Sequence, residues 1–167
     1  MNDAVITLNG LEKRFPGMDK PAVAPLDCTI HAGYVTGLVG PDGAGKTTLM
    51  RMLAGLLKPD SGSATVIGFD PIKNDGALHA VLGYMPQNYA EAFSAKDTPV
   101  TFLLEACDRD DITRARELLG RMKFTREEME HSVYQLSEGQ KAKLYLLRFI
   151  KQGCNVLLLD EPTRNLS

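Results

Sequence analysis

The chain lacks several features that would point to particular classes of protein. It holds no tryptophan, and its formal net charge is only −2 over 167 residues. Because this charge is close to zero, we expect no broad electrostatic attraction to nucleic acid or to anionic lipid. No apolar run reaches membrane-spanning length, and the first residues lack the basic and apolar regions of a secretory signal. These absences favour a cytoplasmic globular protein without direct nucleic-acid binding.

Cysteine is also scarce. Cys28, Cys107 and Cys154 are widely spaced and form no CxxC or Cys/His pair. This usage fits a reducing compartment, so we expect free thiols that are buried as small hydrophobic side chains. Hydrophobic residues make up 44% of the chain, enough for one domain with a sizeable core.

A glycine-rich segment is the most informative feature present. Residues 40–48 read Gly-Pro-Asp-Gly-Ala-Gly-Lys-Thr-Thr and match the pattern G-x-x-x-x-G-K-[ST] in full. Backbone N–H groups of such a loop cradle an anion, and the helix that follows adds the positive end of its dipole. The predicted phosphate loop comprises Gly40, Pro41, Asp42, Gly43, Ala44, Gly45, Lys46, Thr47 and Thr48. Lys46 is expected to reach the β- and γ-phosphates and Thr47 to ligate Mg²⁺; the plain alternative is an ordinary turn before a helix.

Short apolar runs alternate with helical patterns along the chain, which indicates α/β architecture. The patterns predict strands at 5–10, 26–31, 34–39, 63–68, 80–85 and 155–159, and helices at 46–57, 98–107, 111–122, 127–131 and 141–150. We predict three segments: a nucleotide-binding core with the phosphate loop at 1–87, a helical subdomain at 88–150, and an acidic strand with its following turn at 151–167.

The strand at 155–159 is apolar throughout and runs into two acids, Asp160 and Glu161. A continuous apolar run of this kind is typical of a strand that is buried on both faces. A phosphate site would lie at the carboxyl end of such a strand. Asp160 is predicted to hold Mg²⁺ through water, and Glu161 to act as the general base for an attacking water. The alternative is two solvated acids at a strand end.

The segment Leu136–Gln140 reads Leu-Ser-Glu-Gly-Gln and precedes a predicted helix. Ser137 and Gln140 have the spacing of a capping box, in which each side chain bonds to the backbone N–H of the other residue. The same helix N-terminus can also face a phosphate. We therefore expect both a cap and an anion site in this segment, which we call the signature segment.

These motifs, in this order and spacing, make nearly the whole chain resemble the ATP-binding-cassette (ABC) ATPases. The resemblance rests on Phe15, the phosphate loop, Gln87 in Tyr-Met-Pro-Gln, the signature segment, and Asp-Glu-Pro-Thr at 160–163. It implies a P-loop NTPase core with N-terminal β-strands and a helical ABC-type insertion, C-terminally truncated.

The resemblance also implies ATP and Mg²⁺ as ligands and a role for each matching residue. Phe15 stands where the family has an aromatic that stacks on adenine; the alternative is a core aromatic in a turn. Gln87 stands where a glutamine senses Mg²⁺ and the attacking water and faces a transmembrane partner; the alternative is a solvated loop residue. Ser137, Gly139 and Gln140 would complete the ATP site of a second chain in a dimer.

The chain departs from the family at three places. Glu138 replaces a signature glycine; pointing inward it would weaken dimer closure, and pointing outward it would be harmless. Ser167 stands where the family has an aspartate that crosses the dimer interface. The family also continues with further strands and a histidine that contacts the γ-phosphate. We therefore expect this chain to bind ATP·Mg²⁺ better than it hydrolyses ATP.

The sequence is compatible with three functions. The chain is an ATPase subunit of a membrane transporter, held at the inner face of the membrane by its partner, or a soluble ABC ATPase that acts on a ribosome or another assembly, or a non-hydrolysing ATP-binding fragment. A further hypothesis is a recombined or engineered chain joined at Gln87, because residues 1–87 resemble exporter ATPases and residues 88–167 resemble soluble ABC ATPases.

Overall fold

The computed structural model of the chain describes residues 3–88, 92–105 and 111–162. The elements, in chain order, are β1 (Ala4–Lys13), β2 (Val23–His31), α1 (Lys46–Leu53), β3 (Ser61–Val66), α2 (Asp75–His79), β4 (Leu82–Met85), α3 (Pro99–Glu105), α4 (Ile112–Arg121), α5 (Arg126–Glu130), α6 (Glu138–Gln152) and β5 (Val156–Leu159). The chain divides into two compact units, Met1–Leu82 and Gly83–Ser167.

The first unit is built on an antiparallel sheet with strand order β2-β1-β3. On the central strand, Ile6, Leu8 and Leu11 are buried. The alternation of buried and exposed residues along β1 is interrupted between Leu8 and Leu11, because the pairing register of β1 with β2 shifts there. Asp27 stabilises this irregularity by accepting a hydrogen bond from the Gly10 N–H at 2.7 Å. The bulge thereby returns Leu11 to the buried face.

Helix α1 is shorter than the predicted helix at 46–57. Leu49, Met52 and Leu53 form the expected buried stripe, but the helix ends at Leu53. Gly55 follows in the left-handed conformation, with φ of 74°. Its close contact with the Pro71 carbonyl leaves no room for a side chain. A glycine stop of this kind is the common C-terminal signal of helices, and it acts here before Pro59 is reached.

The strand predicted at 34–39 is wrong: these residues adopt no regular secondary structure. Val35 and Val39 are almost fully exposed, at 103% and 94%. An extended segment becomes a strand only when a neighbour supplies ladder hydrogen bonds. In the described part of the first unit, β2 and β3 each pair with β1, and none of the three pairs with this segment. Apolar composition alone therefore misled the prediction.

Helices α3 to α6 of the second unit enclose its core. The largest fully buried side chains there include Phe102, Leu103, Leu119, Val133 and Leu144. Burial raises the pKa of Tyr145, whose ring packs against Phe93, Phe102 and Phe149. None of the helices within the described ranges combines the length and hydropathy needed to cross a bilayer.

Strands β4 and β5 form a separate two-stranded sheet in this region of the chain. The prediction that β5 is buried on both faces is wrong in part, since Leu158 is buried but Leu157 is 44% exposed. The cysteine prediction also fails at Cys28, which is exposed on β2, while Cys154 is half-buried. Cys107 lies outside the described residues.

Candidate functional site

The phosphate loop is anchored on the start of β2 through Gly45. This residue has φ of 84° and forms the N-cap of α1. A Cβ atom here would lie 2.0 Å from the carbonyl oxygen of Ala22 and 3.1 Å from Cγ2 of Val23. Only glycine fits both the conformation and the clearance. The backbone of the loop is thus held directly against the sheet.

Lys46 folds back over the mouth of the loop. Its Nζ donates to the carbonyl oxygens of Gly40 and Pro41, each at 2.8 Å. These bonds use two of the three N–H donors of an ammonium group. The charge is therefore held at the loop, with a donor left for a phosphate oxygen.

The rest of the loop is open to solvent. A turn closed by the Ala44 N–H and the Pro41 carbonyl oxygen, at 3.2 Å, shapes its first half. Gly43 takes the left-handed conformation within that turn, with φ of 77°. The exposed loop residues are Gly40, Pro41, Asp42, Gly43, Ala44 and Thr47, whereas Thr48 is half-buried.

Phe15 lies at the same end of the sheet as the phosphate loop. It follows β1 by two residues, and the last residue of that strand, Lys13, pairs with Val23 of β2. Gly45 packs against Val23 as well. Phe15 is 37% exposed, which argues against the alternative of a core aromatic.

Asp160 lies at the end of β5 and is almost completely buried, at 2% exposure. Its N–H donates to the Met85 carbonyl oxygen at 3.0 Å. Its Oδ2 is buried and has no hydrogen-bond partner among the described residues. An unpaired buried carboxylate oxygen costs free energy unless water or a cation satisfies it. The alternative of a solvated acid does not fit this burial.

Gln87 and Glu161 come together although they are far apart in sequence. The Gln87 Nε2 donates to Glu161 Oε2 at 2.8 Å. Glu161 also adopts the left-handed backbone conformation, with φ of 51°, which is unusual for a residue other than glycine. Backbone strain of this kind often occurs at functional sites. Gln87 lies in the bend after β4 and is half-buried, so it is not fully solvated.

The signature segment forms the predicted capping box at the N-terminus of α6. Ser137 Oγ accepts from the Gln140 N–H at 3.3 Å, and Gln140 Oε1 accepts from the Ser137 N–H at 2.9 Å. Ser137 is exposed and Gly139 is half-buried. The Ser137 hydroxyl hydrogen is not used by the cap, because Ser137 Oγ is the acceptor in its bond with Gln140. A helix N-terminus with such a hydroxyl suits an anion.

Glu128 is a further residue beside the signature segment, and the sequence motifs do not predict it. Its Oε1 accepts from the Gln140 Nε2 at 2.6 Å, and its Oε2 accepts from the Thr125 N–H at 2.7 Å. These two hydrogen bonds, the backbone one first, lower the pKa of Glu128 below its ordinary value. The clue in the sequence was Thr-x-x-Glu at 125–128, a second capping box. Glu128 links the caps of α5 and α6.

The Glu138 carboxylate turns along its own helix. Its Oε1 lies 2.7 Å from Lys141 Nζ, and the side chain is 61% exposed. Within this chain, Glu138 is thus paired with Lys141 of its own helix; its effect on dimer closure stays a prediction. Thr163 and Ser167 lie outside the described residues.

The comparisons with known proteins agree with this set of motifs. A family model described as ABC transporter matches residues 23–164. The chain belongs to the ABC transporter family. The chain is 63% identical, over 97% of its length, to the probable multidrug ABC transporter ATP-binding protein YbhF of Escherichia coli K12. It is 32% identical, over 99% of its length, to the energy-dependent translational throttle protein EttA of Haemophilus influenzae. It spans 28% of the length of each of these relatives.

Solved structures confirm the predicted fold class. The dimeric, ADP- and phosphate-bound ATP-binding cassette MJ0796 matches with a TM-score of 0.81, covering 97% of this chain and 76% of that one. Its sequence identity is 21%, so this match concerns the fold. The P-loop NTPase fold of an ABC cassette is thus shown, while the roles of individual site residues stay predictions.

Proposed function

We propose that the chain binds ATP with Mg²⁺ and, as one half of a dimer, hydrolyses ATP. The observation that carries this proposal is the phosphate loop, in which Gly45 is held against β2 and Lys46 is fixed across the loop mouth. A loop of main-chain N–H groups backed by an ammonium group suits the triphosphate of a nucleotide.

Two of the predicted ligands carry oxygen donors of the kind that suits a magnesium ion. Asp160 offers a buried carboxylate oxygen that lacks a partner within the described residues, and Thr47 offers a hydroxyl. Oxygen donors are the ligands that Mg²⁺ prefers, and it usually binds through one or two protein groups together with phosphate and water. When bound, Mg²⁺ neutralises charge on the phosphate oxygens. We propose Thr47, Asp160 and Gln87 as the residues that hold or sense it.

The mechanism assigns a separate task to each group. Lys46 and the N–H groups of the loop stabilise the charge that develops on the transferred phosphoryl group. Glu161 accepts the proton of the attacking water at its carboxylate. The hydrogen bond from Gln87 orients that carboxylate. Phe15 stacks on the base, and Ser137, Gly139 and Gln140 contact the nucleotide of a second chain.

Of the candidate functions, we prefer the role in a membrane transporter. The Escherichia coli relative is named a probable multidrug ABC transporter ATP-binding protein. We propose that this chain is the ATP-binding part of a transporter, located in the cytoplasm at the inner face of the membrane through a transmembrane partner. Co-purification of the full protein with a membrane subunit would support this setting.

A soluble role is the second candidate, favoured by the 32% identity to EttA, a protein named for translational control. Sedimentation with ribosomes that weakens as salt rises would support it. The recombination hypothesis stays a prediction, although one relative matches 97% of the chain across the proposed junction. Recovery of the whole reading frame from unmodified genomic DNA would refute the recombination hypothesis.

The proposed chemistry is tested by titration calorimetry with ATP·Mg²⁺ and by phosphate release. Lys46→Ala removes a charge-assisted contact worth about 1.5–3 kcal/mol, so affinity should fall by about 10- to 150-fold. Glu161→Gln should keep binding and lose phosphate release. Lys58→Ala is the matched control, since Lys58 is exposed and takes part in none of the ion pairs found within the described ranges.

Equal affinity of the wild type, Lys46→Ala and Lys58→Ala would refute the assignment of the phosphate loop. Binding without phosphate release in the wild type would favour the third alternative, a non-hydrolysing module.

A further inference from the structure

A cation lies over the aromatic ring that is proposed to receive the base. Lys13 Nζ is 5.7 Å from the ring centroid of Phe15, within the range of a cation–π contact. The Lys13 side chain is only 13% exposed, whereas Phe15 is 37% exposed. The lysine side chain is therefore mostly covered, while Phe15 stays partly exposed to solvent.

The ammonium group is held in position by Asp60. Lys13 Nζ donates to Asp60 Oδ1 at 3.0 Å, and the Arg14 N–H donates to Asp60 Oδ2 at 2.7 Å. The Asp60 N–H donates in turn to the Glu12 carbonyl oxygen at 3.0 Å. The Arg14 N–H, and then Lys13, lower the pKa of Asp60, so its carboxylate is charged at neutral pH. Asp60 thus ties the lysine to the backbone at the end of β1.

The position of this cluster suits a nucleotide. Lys13 pairs with Val23, and the backbone of Gly45 packs against Ala22 and Val23. Phe15 and Gly45 of the phosphate loop therefore lie at the same end of the β1–β2 pair. A ligand whose phosphates lie in the loop would have its base on the side of Phe15.

We propose that Lys13, tethered by Asp60, is a specificity-determining residue that strengthens the stacking of a purine base on Phe15. The inference rests on the proposed ATP binding. A cation draws π-electron density toward itself, so the opposite face of the ring repels the π-cloud of a stacked base less strongly. Purines present a larger π-surface than pyrimidines and gain more from this effect. Lys13 therefore raises the preference for ATP over CTP.

The test measures dissociation constants for Mg²⁺ complexes of ATP, CTP and inorganic tripolyphosphate by calorimetry. Lys13→Met keeps the length of the side chain and removes its charge. A cation–π contact at a partly exposed site predicts that this change weakens ATP binding by about two- to fivefold. CTP binding should weaken less and tripolyphosphate binding should not change. Lys13→Arg should restore the ratio of ATP to CTP affinity, and Lys58→Met, an exposed lysine, should leave it unchanged.

Two further variants make the test independent of folding defects. Asp60→Asn keeps the Lys13 charge but releases it, so the ATP preference should fall in this variant too. In a Phe15→Ala background, Lys13→Met should have no further effect on that preference, because the ring is gone. The melting temperature of each variant is measured to check that the variant is folded.

An unchanged ratio of ATP to CTP affinity in folded Lys13→Met would overturn this inference alone. An equal loss for ATP, CTP and tripolyphosphate would also overturn it, since Lys13 would then act on the phosphates. Failure of the wild type to bind either ATP or tripolyphosphate would overturn the proposed function and this inference together.

Discussion

Replacing Gly45 with alanine should weaken both the fold and the phosphate loop, because two penalties add. Gly45 has φ of 84°, and a Cβ atom there would lie 2.0 Å from the Ala22 carbonyl oxygen. The left-handed conformation costs an alanine roughly 1–2 kcal/mol. The overlap involves backbone on both sides, so the loop must retreat by roughly 1 Å to reach an ordinary carbon–oxygen contact.

Forced overpacking of this kind costs about 1–3 kcal/mol. We therefore expect the free energy of unfolding to fall by about 2–5 kcal/mol in Gly45→Ala. The displaced loop also loses the alignment of its N–H groups, so ATP affinity should drop by at least about tenfold, which corresponds to ~1.4 kcal/mol. Urea denaturation and calorimetry measure the two effects separately.

Gly33→Ala is the matched control. Gly33 has φ of 82°, but a Cβ atom there would meet nothing within 4 Å. This variant should show the conformational penalty alone, about 1–2 kcal/mol, with ATP affinity unchanged. If both variants lost equal stability and both kept full ATP affinity, the proposed anchoring of the loop on β2 would be refuted.

Three further predictions concern the second unit. Gly83→Ala should destabilise it by about 1–3 kcal/mol in urea denaturation, since a Cβ atom there would lie 2.7 Å from Leu157 and 2.8 Å from the Phe149 ring; unchanged stability would contradict this packing. The lowered pKa of Glu128 means that its carboxylate stabilises the fold above the ordinary pKa of 4.5, and that this stabilisation is lost as pH falls through the lowered value. In Glu128→Gln the free energy of unfolding should therefore depend less steeply on pH below 4.5. The same pH dependence in the variant and the wild type would contradict this. Ser137→Ala removes the side-chain N-cap of α6 and should lower the free energy of unfolding by about 1 kcal/mol. An unchanged free energy of unfolding would contradict the cap.

Local patterns in the chain were sufficient to determine the family and most of the helical elements. The phosphate loop, the signature segment and the acids after β5 are contiguous motifs, so their identity needs no knowledge of distant contacts. The capping box of Ser137 and Gln140 and the buried stripe of α1 were predictable for the same reason, because a helix brings together residues three or four positions apart.

Only the tertiary structure decided features that depend on partners far away in sequence. Residues 34–39 have the composition of a strand, yet strand formation requires a neighbour that composition does not reveal. The clearance at Gly45 is set by Ala22, and Lys13 is placed over Phe15 with the help of Asp60. Spacing along the chain specifies local hydrogen bonds and helix faces, whereas the approach of distant backbone and charge exists only after the chain has folded.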